Sequence, residues 1–253
     1  MPIKNLIPEN LPVTGHLEEL RARLLYVLAY VTAGTIVGLF FAKDLIRLLE
    51  MPAAANLSSF VLIKPTDVVS IYFKMSLYIG AVIAAPAAAY NFWHFIKPAV
   101  PGDVRVSPGL WSLSAAVLFG LGTFFSYKIL LPSGYKFLMG LSAEIATPMI
   151  TLNSYLSFAL SIIVIGGFIF EMPVIAALLT RLRVITPKLL TAKWREAVFG
   201  LCVIAAVVTP TTDVFNMLLF VAPMLALFGI SVLVSLAVHK IYVKDPSGED
   251  YGN

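Results

Sequence analysis

A single carboxylate stands in the middle of a long apolar segment. Residues 154–180 read "SYLSFALSIIVIGGFIFEMPVIAALLT", and Glu171 is the one charged residue among them. Keeping an ionised carboxylate at the centre of a bilayer costs about 3 kcal/mol on insertion scales. Glu171 must therefore be neutral, paired or hydrated. Two roles fit it: a protonated structural side chain that is hydrogen-bonded to a neighbouring helix, or a polar contact for a substrate or partner inside the membrane.

The residues beside Glu171 predict an irregular backbone at this level. Pro173 has no N–H and leaves the carbonyl of Ile169 without its helical donor. The preceding pair, Gly166 and Gly167, favours a bend. Irregular backbone is tolerated at membrane depth where it is buried in protein or lines a hydrated cavity. Glu171 is therefore predicted to lie near the membrane midplane, on a polar, concave surface.

The stretch "TGHLEELRARLLY" near the amino terminus combines an apolar stripe with a charged face. Leucines recur at helical spacing, while His16, Glu19 and Arg23 fall together on a polar face with Glu18 and Arg21 beside it. The segment is predicted to form a short interfacial helix that leads into the first span. Two adjacent carboxylates are unusual at a membrane surface, because anionic lipids repel them. They either solubilise this helix or bind a cationic partner, and arginine would suit because its guanidinium donates two parallel hydrogen bonds to a carboxylate.

A third candidate site follows the second apolar segment, in the stretch "NFWHFIKPAVPGD". Phe92, Trp93 and Phe95 are typical of the aromatic belt at a membrane interface, and Trp93 is predicted to serve in it. Phe95 also makes an apolar platform beside the carboxylate of Asp103. This platform is expected on the same side of the membrane as the amino-terminal carboxylates.

The composition of the whole chain is typical of a membrane protein. Of its 253 residues, 59% are hydrophobic and 13% are charged, which is about half the charged share of a soluble domain. The chain is predicted to form one polytopic domain over residues 1–253, without a cleavable signal peptide and with a short cytoplasmic tail after residue 239. Six segments are candidates for spanning helices: about 24–42, 68–92, 110–132, 154–180, 194–209 and 214–238.

The candidate spans differ in length and straightness. The fifth offers only about 15 residues, or roughly 22 Å of helix, against a hydrocarbon core of about 30 Å. Local thinning of the bilayer or burial among other helices would accommodate it. Prolines bend the helices that contain them, so the expected fold is an all-α integral membrane protein whose six helices form a curved, concave bundle. The prolines concerned are Pro86, Pro132, Pro173 and Pro223.

The distribution of basic residues predicts the orientation. With a cytoplasmic amino terminus, twelve of the eighteen lysines and arginines fall on the cytoplasmic side, as the positive-inside rule requires. An even number of spans then places both termini in the cytoplasm. The net charge of +4 is a topology signal, since no basic groove or aromatic stacking pattern indicates nucleic-acid binding.

Four motifs in order resemble the TatC family: "HLEELRARL" before the first span, "FWHFIKPA" after the second, "FEMPV" in the fourth and "VVTPTTDVF" between the last two. The resemblance covers about residues 12–240. It implies the six-span receptor subunit of the twin-arginine translocase, in the bacterial inner membrane. Such a subunit binds signal peptides with paired arginines and, with the single-span partners TatA and TatB, transports folded proteins using the proton-motive force. Self-association is implied too, and no enzymatic activity, cofactor or metal is expected.

The resemblance also implies roles for individual residues. Glu19, Arg21, Phe95 and Asp103 match the signal-peptide site, with Arg21 expected to orient the carboxylates. Asp103 fits with a one-residue shift, since the chain reads "PGDVRVS" where relatives carry a glutamate in a "HERR"-like run. Glu171 matches the intramembrane polar position. Further family-matched positions are His16, Leu20, Pro52 in the first external loop, Pro86, Thr209 and Asp213.

The leading alternative is a small secondary transporter that uses Glu171 as a proton or cation site. Transporters commonly contain internal repeats with paired broken helices, and no such repeat is visible. No second intramembrane charge is expected to relay with Glu171. An intramembrane enzyme is less favoured, because the sequence has no paired His-Glu metal motif.

Overall fold

In a computed structural model of the chain, residues 13–54, 60–96, 108–145, 149–208 and 213–240 are described. Nearly all of them are helical. The α-helices are α1 (Val13–Ala54), α2 (Thr66–Ile96), α3 (Pro108–Phe125), α4 (Leu131–Ile145), α5 (Leu152–Phe170), α6 (Met172–Arg181), α7 (Pro187–Ala192), α8 (Trp194–Val208) and α9 (Val214–Val238).

Five helical stretches of the described residues are long and apolar enough to cross a membrane: Glu18–Ala53, Thr66–Ile96, Gly109–Ser142, Leu152–Arg181 and Val214–Val238. They correspond to the predicted spans one, two, three, four and six. The fifth predicted span is α8, whose 15 residues fall short of the roughly 20 that a spanning helix needs. Its crossing of the membrane stays a prediction.

Two helical stretches are longer than expected. α1 is one continuous helix of 42 residues, about 63 Å long, so the charged amino-terminal segment is its first part and not a separate interfacial helix. α3 continues through a π-helical turn, Ser126–Leu130, into α4. Each stretch exceeds the roughly 30 Å of the hydrocarbon core and therefore projects beyond it.

Small residues let α1 and α2 pack almost backbone to backbone. A Cβ added to Gly34 would lie 2.9 Å from the Cα of Gly80, and one added to Gly38 would lie 2.6 Å from the carbonyl oxygen of Ser76. Because lipid provides no hydrophobic drive between helices, such close approach is what gains packing energy in a membrane. The pairs fix an antiparallel register between the two helices.

A second close approach joins α3 to α5. A Cβ at Gly122 would lie 2.6 Å from the carbonyl oxygen of Gly166, and one at Gly167 would lie 2.7 Å from the ring of Phe119. The end of α5, where Glu171 follows, is thus held firmly against α3.

The ends of α1 and α5 meet on the side away from the amino terminus. Val61 N–H donates to the carbonyl of Ile150, and Leu152 N–H donates to the carbonyl of Val61, each at 3.1 Å. The hydroxyl of Tyr155 donates to the carbonyl of Leu49 at 2.6 Å. These bonds join the segment after α1 to the start of α5.

Candidate functional site

Arg23 holds the carboxylate of Glu19 near the amino-terminal end of α1. Nε of Arg23 donates to Oε1 of Glu19 at 2.9 Å, and its Nη2 donates to the same oxygen. Oε2 accepts no hydrogen bond from any described residue. We expected Arg21 to orient the carboxylates, but Arg21 is exposed and Arg23 makes the contact. The reason is helical geometry: residues four apart lie on one face, whereas residues two apart do not.

The register of α1 and α2 brings Glu19 level with Phe95. Gly34 faces Gly80, Glu19 lies fifteen residues before Gly34, and Phe95 lies fifteen residues after Gly80. In antiparallel helices with the same rise, equal steps along both reach the same height. The two candidate residues therefore lie at the same end of one helix pair, and both are half-buried.

Trp93 is not part of an aromatic belt. Only 2% of its surface is exposed, and its ring stacks on that of Trp111 with centroids 4.7 Å apart. The prediction was wrong because an aromatic side chain near an interface packs equally well between helices when a second ring faces it. The stacked pair fastens the end of α2 that carries Phe95 to the start of α3.

Three predicted site residues cannot be placed. Asp103 and Thr209 lie outside the described residues. His16 belongs to α1, but its side chain is outside the described part of the chain.

Glu171 occupies a break between two helices, as Pro173 predicts. It is a single turn residue (φ −73°, ψ −10°) between α5 and α6. Its N–H donates to the carbonyl of Phe168 at 3.1 Å, and its carbonyl accepts from Ile175 at 2.9 Å. The side chain is half-buried, and its carboxyl group forms no hydrogen bond or ion pair with the described residues. The interpretation of Glu171 as a structural glutamate bonded to a neighbouring helix gains no support from this geometry.

Lys74, near the start of the spanning helix α2, makes polar contacts with α5 that the sequence analysis missed. Nζ of Lys74 on α2 donates to Oδ1 of Asn153 and to Oγ of Ser157 on α5, both at 2.9 Å. Nδ2 of Asn153 donates to Oδ1 of Asp67 at 3.2 Å. Ser157 lies fourteen residues before Glu171, about 21 Å along the helix axis, so Lys74 braces α2 against α5 and does not neutralise Glu171.

The order of these elements and motifs agrees with comparisons to known proteins. The family model described as "Sec-independent protein translocase protein (TatC)" matches residues 15–223. The chain belongs to the TatC family. The match includes α1 from its charged end, both sides of the Glu171 break and the beginning of α9.

Relatives and solved structures support the assignment to TatC. The chain is 35% identical over 235 residues to TatC of Aquifex aeolicus, covering 91% of this chain and 97% of that one. It is 33% identical over 230 residues to the chloroplastic TATC of Oryza sativa subsp. japonica, covering 90% of this chain and 64% of that one. A crystal structure of the twin-arginine translocase receptor TatC has a TM-score of 0.76 and 33% identity, covering 88% of this chain and 99% of that one.

Family membership determines the class of function. This TatC-family chain is a multi-pass membrane protein and a receptor component of the twin-arginine translocase, not an enzyme. The family implies, in general terms, that it binds signal peptides and other Tat components. Its relatives include bacterial and chloroplastic proteins. The alternative of a secondary transporter is overturned by these matches.

Pro52 and Pro86, which the resemblance led us to expect at family positions, have structural partners. Pro52 lies in the last turn of α1 and not in an external loop. It lacks the N–H that would pair with the carbonyl of Leu48, and the hydroxyl of Tyr127 donates to that carbonyl instead, at 2.9 Å. The carbonyl of Pro86 accepts a hydrogen bond from Oγ of Ser112 on α3, at 2.6 Å. The backbone at both prolines is thus hydrogen-bonded to the stretch formed by α3 and α4.

Asp213 and Leu20, the remaining described TatC positions, differ in burial and contacts. Asp213 caps α9: its Oδ1 accepts from the N–H of Asn216 at 2.7 Å, and its Oδ2 accepts from Nδ2 of Asn216 at 2.8 Å. A carboxylate directly before α9 is favourable because it accepts a hydrogen bond from an N–H that has no partner within the helix, and because its negative charge suits the helix dipole. Leu20 is 44% exposed on α1 beside Glu19, where it offers an apolar surface.

Proposed function

We propose that the chain recognises signal peptides that carry two adjacent arginines and, with TatA and TatB type partners, transports folded proteins using the proton-motive force. It does so in the bacterial inner membrane, as a self-associating protein with both termini in the cytoplasm. The excess of basic residues on the side of the amino terminus supports this orientation. The family relationship supports the partners, because TatC is the receptor of this translocase.

The observation that carries the proposal is the state of Glu19. Arg23 occupies one oxygen of its carboxylate, whereas the second oxygen accepts no hydrogen bond from the described residues. A carboxylate offers about four lone-pair sites, so a guanidinium of the signal peptide has acceptors available. Arg23 keeps the carboxylate in place, so little entropy is lost when the ligand binds.

The second arginine is assigned to Asp103, and Phe95 is assigned to the apolar part of the same site. The contact of Gly34 with Gly80 puts Phe95 at the same end of the α1–α2 pair as Glu19. An aromatic ring supports a guanidinium stacked on its face. The exposed surface of Leu20 extends this apolar area on the α1 side. The arginine pair would thus be held between α1 and the end of α2.

Glu171 is proposed to be a polar contact for a partner helix or for a deeply inserted signal peptide. Its carboxyl group is half-buried at a helix break and forms no bond with the described residues. A polar group in this state is costly in lipid unless a partner or water reaches it. Normal assembly and transport by a Glu171→Ala variant would refute this role.

Charge reversal at Glu19 tests the proposed receptor site in cells. A Glu19→Lys variant should be inserted in the membrane at the normal level and export no twin-arginine cargo, because a lysine repels the incoming guanidinium. The matched control is Glu18→Lys, the same change on the exposed neighbour, which should retain most export. Wild-type export by Glu19→Lys would contradict the assignment.

A further inference from the structure

A cavity of about 290 Å³ lies beside the carboxyl-terminal part of α1. It is remote from the signal-peptide site, because Lys43 on its rim lies 24 residues after Glu19 on the same helix, about 36 Å away. Its walls come from α1, the start of α2, the start of α5 and the segment 60–65. Charged side chains form one part of the lining and apolar side chains form the rest.

The charged part consists of two cations and one carboxylate on a single face of α1. Lys43, Arg47 and Glu50 follow one another at spacings of four and three residues and all line the cavity. Lys43 and Arg47 are exposed, and neither forms an ion pair with any residue that the structure describes. The formal charge of the three side chains together is +1, so the cavity rim favours an anionic ligand.

The rest of the lining is apolar. Ile46, Val68 and Ile71 are among its lining residues, and the apolar segment of α1 ends at residue 42, immediately before Lys43. Lys43 is thus the first charged residue after the apolar segment of α1. Positive charge beside an apolar wall matches an amphiphile with an anionic head.

We propose that this cavity binds one anionic phospholipid of the phosphatidylglycerol type. Its phosphate contacts Lys43 and Arg47, and the first part of an acyl chain lies against Ile46 and Ile71. Glu50 accepts hydrogen bonds from the hydroxyls of a glycerol headgroup, which a choline headgroup does not donate. Ligand pockets usually measure about 300–1,000 Å³, so a cavity at the lower limit suits a headgroup and the adjoining carbons.

The walls of the cavity are fixed before a lipid arrives. The backbone hydrogen bonds of Val61 with Ile150 and with Leu152, each 3.1 Å, join the wall segment 60–65 to the start of α5. The N–H of Lys64 donates to Oδ2 of Asp67 at 3.2 Å, which holds the same segment to the start of α2. A preformed site loses little entropy on binding. A lipid bound here would connect the end of α1 to α2 and α5.

Native mass spectrometry of the full chain tests the proposal. The protein is released from nanodiscs that contain equal amounts of phosphatidylglycerol and phosphatidylcholine, and bound lipids are counted and titrated. Each basic residue near a membrane surface contributes about 1 kcal/mol to the binding of anionic lipid. A Lys43→Gln/Arg47→Gln variant should therefore bind phosphatidylglycerol about 30-fold more weakly. The control, Lys128→Gln/Lys136→Gln, removes two exposed cations that do not line the cavity and should bind like the wild type.

A second variant tests the cavity without changing charge. Val68 is 42% exposed and lines the cavity, so Val68→Trp fills the space without crowding the core. This variant should also lose the bound phosphatidylglycerol, and it decides the question if the double variant fails to fold. Equal retention of the two lipids by the wild type, or unchanged retention of phosphatidylglycerol by a folded Lys43→Gln/Arg47→Gln or Val68→Trp variant, would overturn the proposal.

Discussion

A methyl group added to Gly80 should separate the two helices that present Glu19 and Phe95. A Cβ at this position would lie 2.5 Å from the backbone nitrogen of Thr35 and 2.8 Å from the carbonyl oxygen of Val31. Ordinary contacts of a Cβ begin at 3.4 Å, so α1 must move away by roughly 0.9 Å, and such overpacking costs about 1–3 kcal/mol. Alanine is favoured over glycine in a helix by at most about 1 kcal/mol.

The net expectation for Gly80→Ala is a loss of about 0–2 kcal/mol in the free energy of unfolding. The matched control is Gly120→Ala on α3, where an added Cβ meets nothing within 4 Å and only the gain in helix propensity remains. The midpoint of thermal unfolding in detergent should therefore be several degrees lower for Gly80→Ala than for Gly120→Ala. Signal-peptide affinity should fall in parallel. Equal midpoints and equal affinities would refute the antiparallel α1–α2 contact on which the site is built.

Two further predictions concern groups that satisfy the backbone around the bundle. Tyr127→Phe removes the hydrogen bond to the carbonyl of Leu48, so it should lower the free energy of unfolding by about 0.5–1.5 kcal/mol. Tyr30→Phe, an exposed tyrosine of α1, is the control, and an equal effect of both in a denaturant titration would contradict the role of the hydroxyl. Asp213→Ala removes the cap of α9 and should lower the free energy of unfolding by about 0.5–2 kcal/mol. Asp213→Asn keeps a hydrogen-bond acceptor and should lower it less. Equal midpoints of thermal unfolding for the two variants would exclude a capping role.

The helical segments could be predicted from the sequence because apolarity over about 20 residues is a local property. The break at Glu171 was also predictable from local sequence, because Pro173 lacks the N–H that would bond to the carbonyl of Ile169, four residues earlier. The length of α1 could not be predicted, because the charged amino-terminal segment differs in composition from the apolar segment although both belong to one uninterrupted helix. The prediction for Trp93 was wrong for a different reason: tryptophan is typical of a membrane interface, but here the ring of Trp111 stacks on Trp93 and buries it.

The contacts that join distant segments could not be derived from spacing. Lys74 bonds to Asn153, 79 positions away, and Tyr127 bonds to Leu48 across the same separation. Only the helix arrangement brings these residues together. Within one helix, by contrast, the Glu19–Arg23 pair follows directly from a spacing of four residues. This pair was therefore derivable from the sequence, although Arg21 was expected to orient Glu19, whereas the alignment of Glu19 with Phe95 required the α1–α2 register.

Direct binding of signal peptides tests the role of Glu19 most closely. The purified protein is titrated with a peptide that carries two adjacent arginines, with the same peptide carrying two lysines, and with both peptides after Glu19→Gln and Glu18→Gln. Hydrogen bonds to charged groups contribute about 1.5–3 kcal/mol, so loss of the Glu19 charge should weaken binding of the arginine peptide by about 10- to 150-fold. Glu18→Gln should leave it nearly unchanged, and the lysine peptide should bind weakly throughout. Equal affinity for the two peptides, or unchanged affinity in Glu19→Gln, would contradict a twin-arginine site at the amino-terminal end of α1.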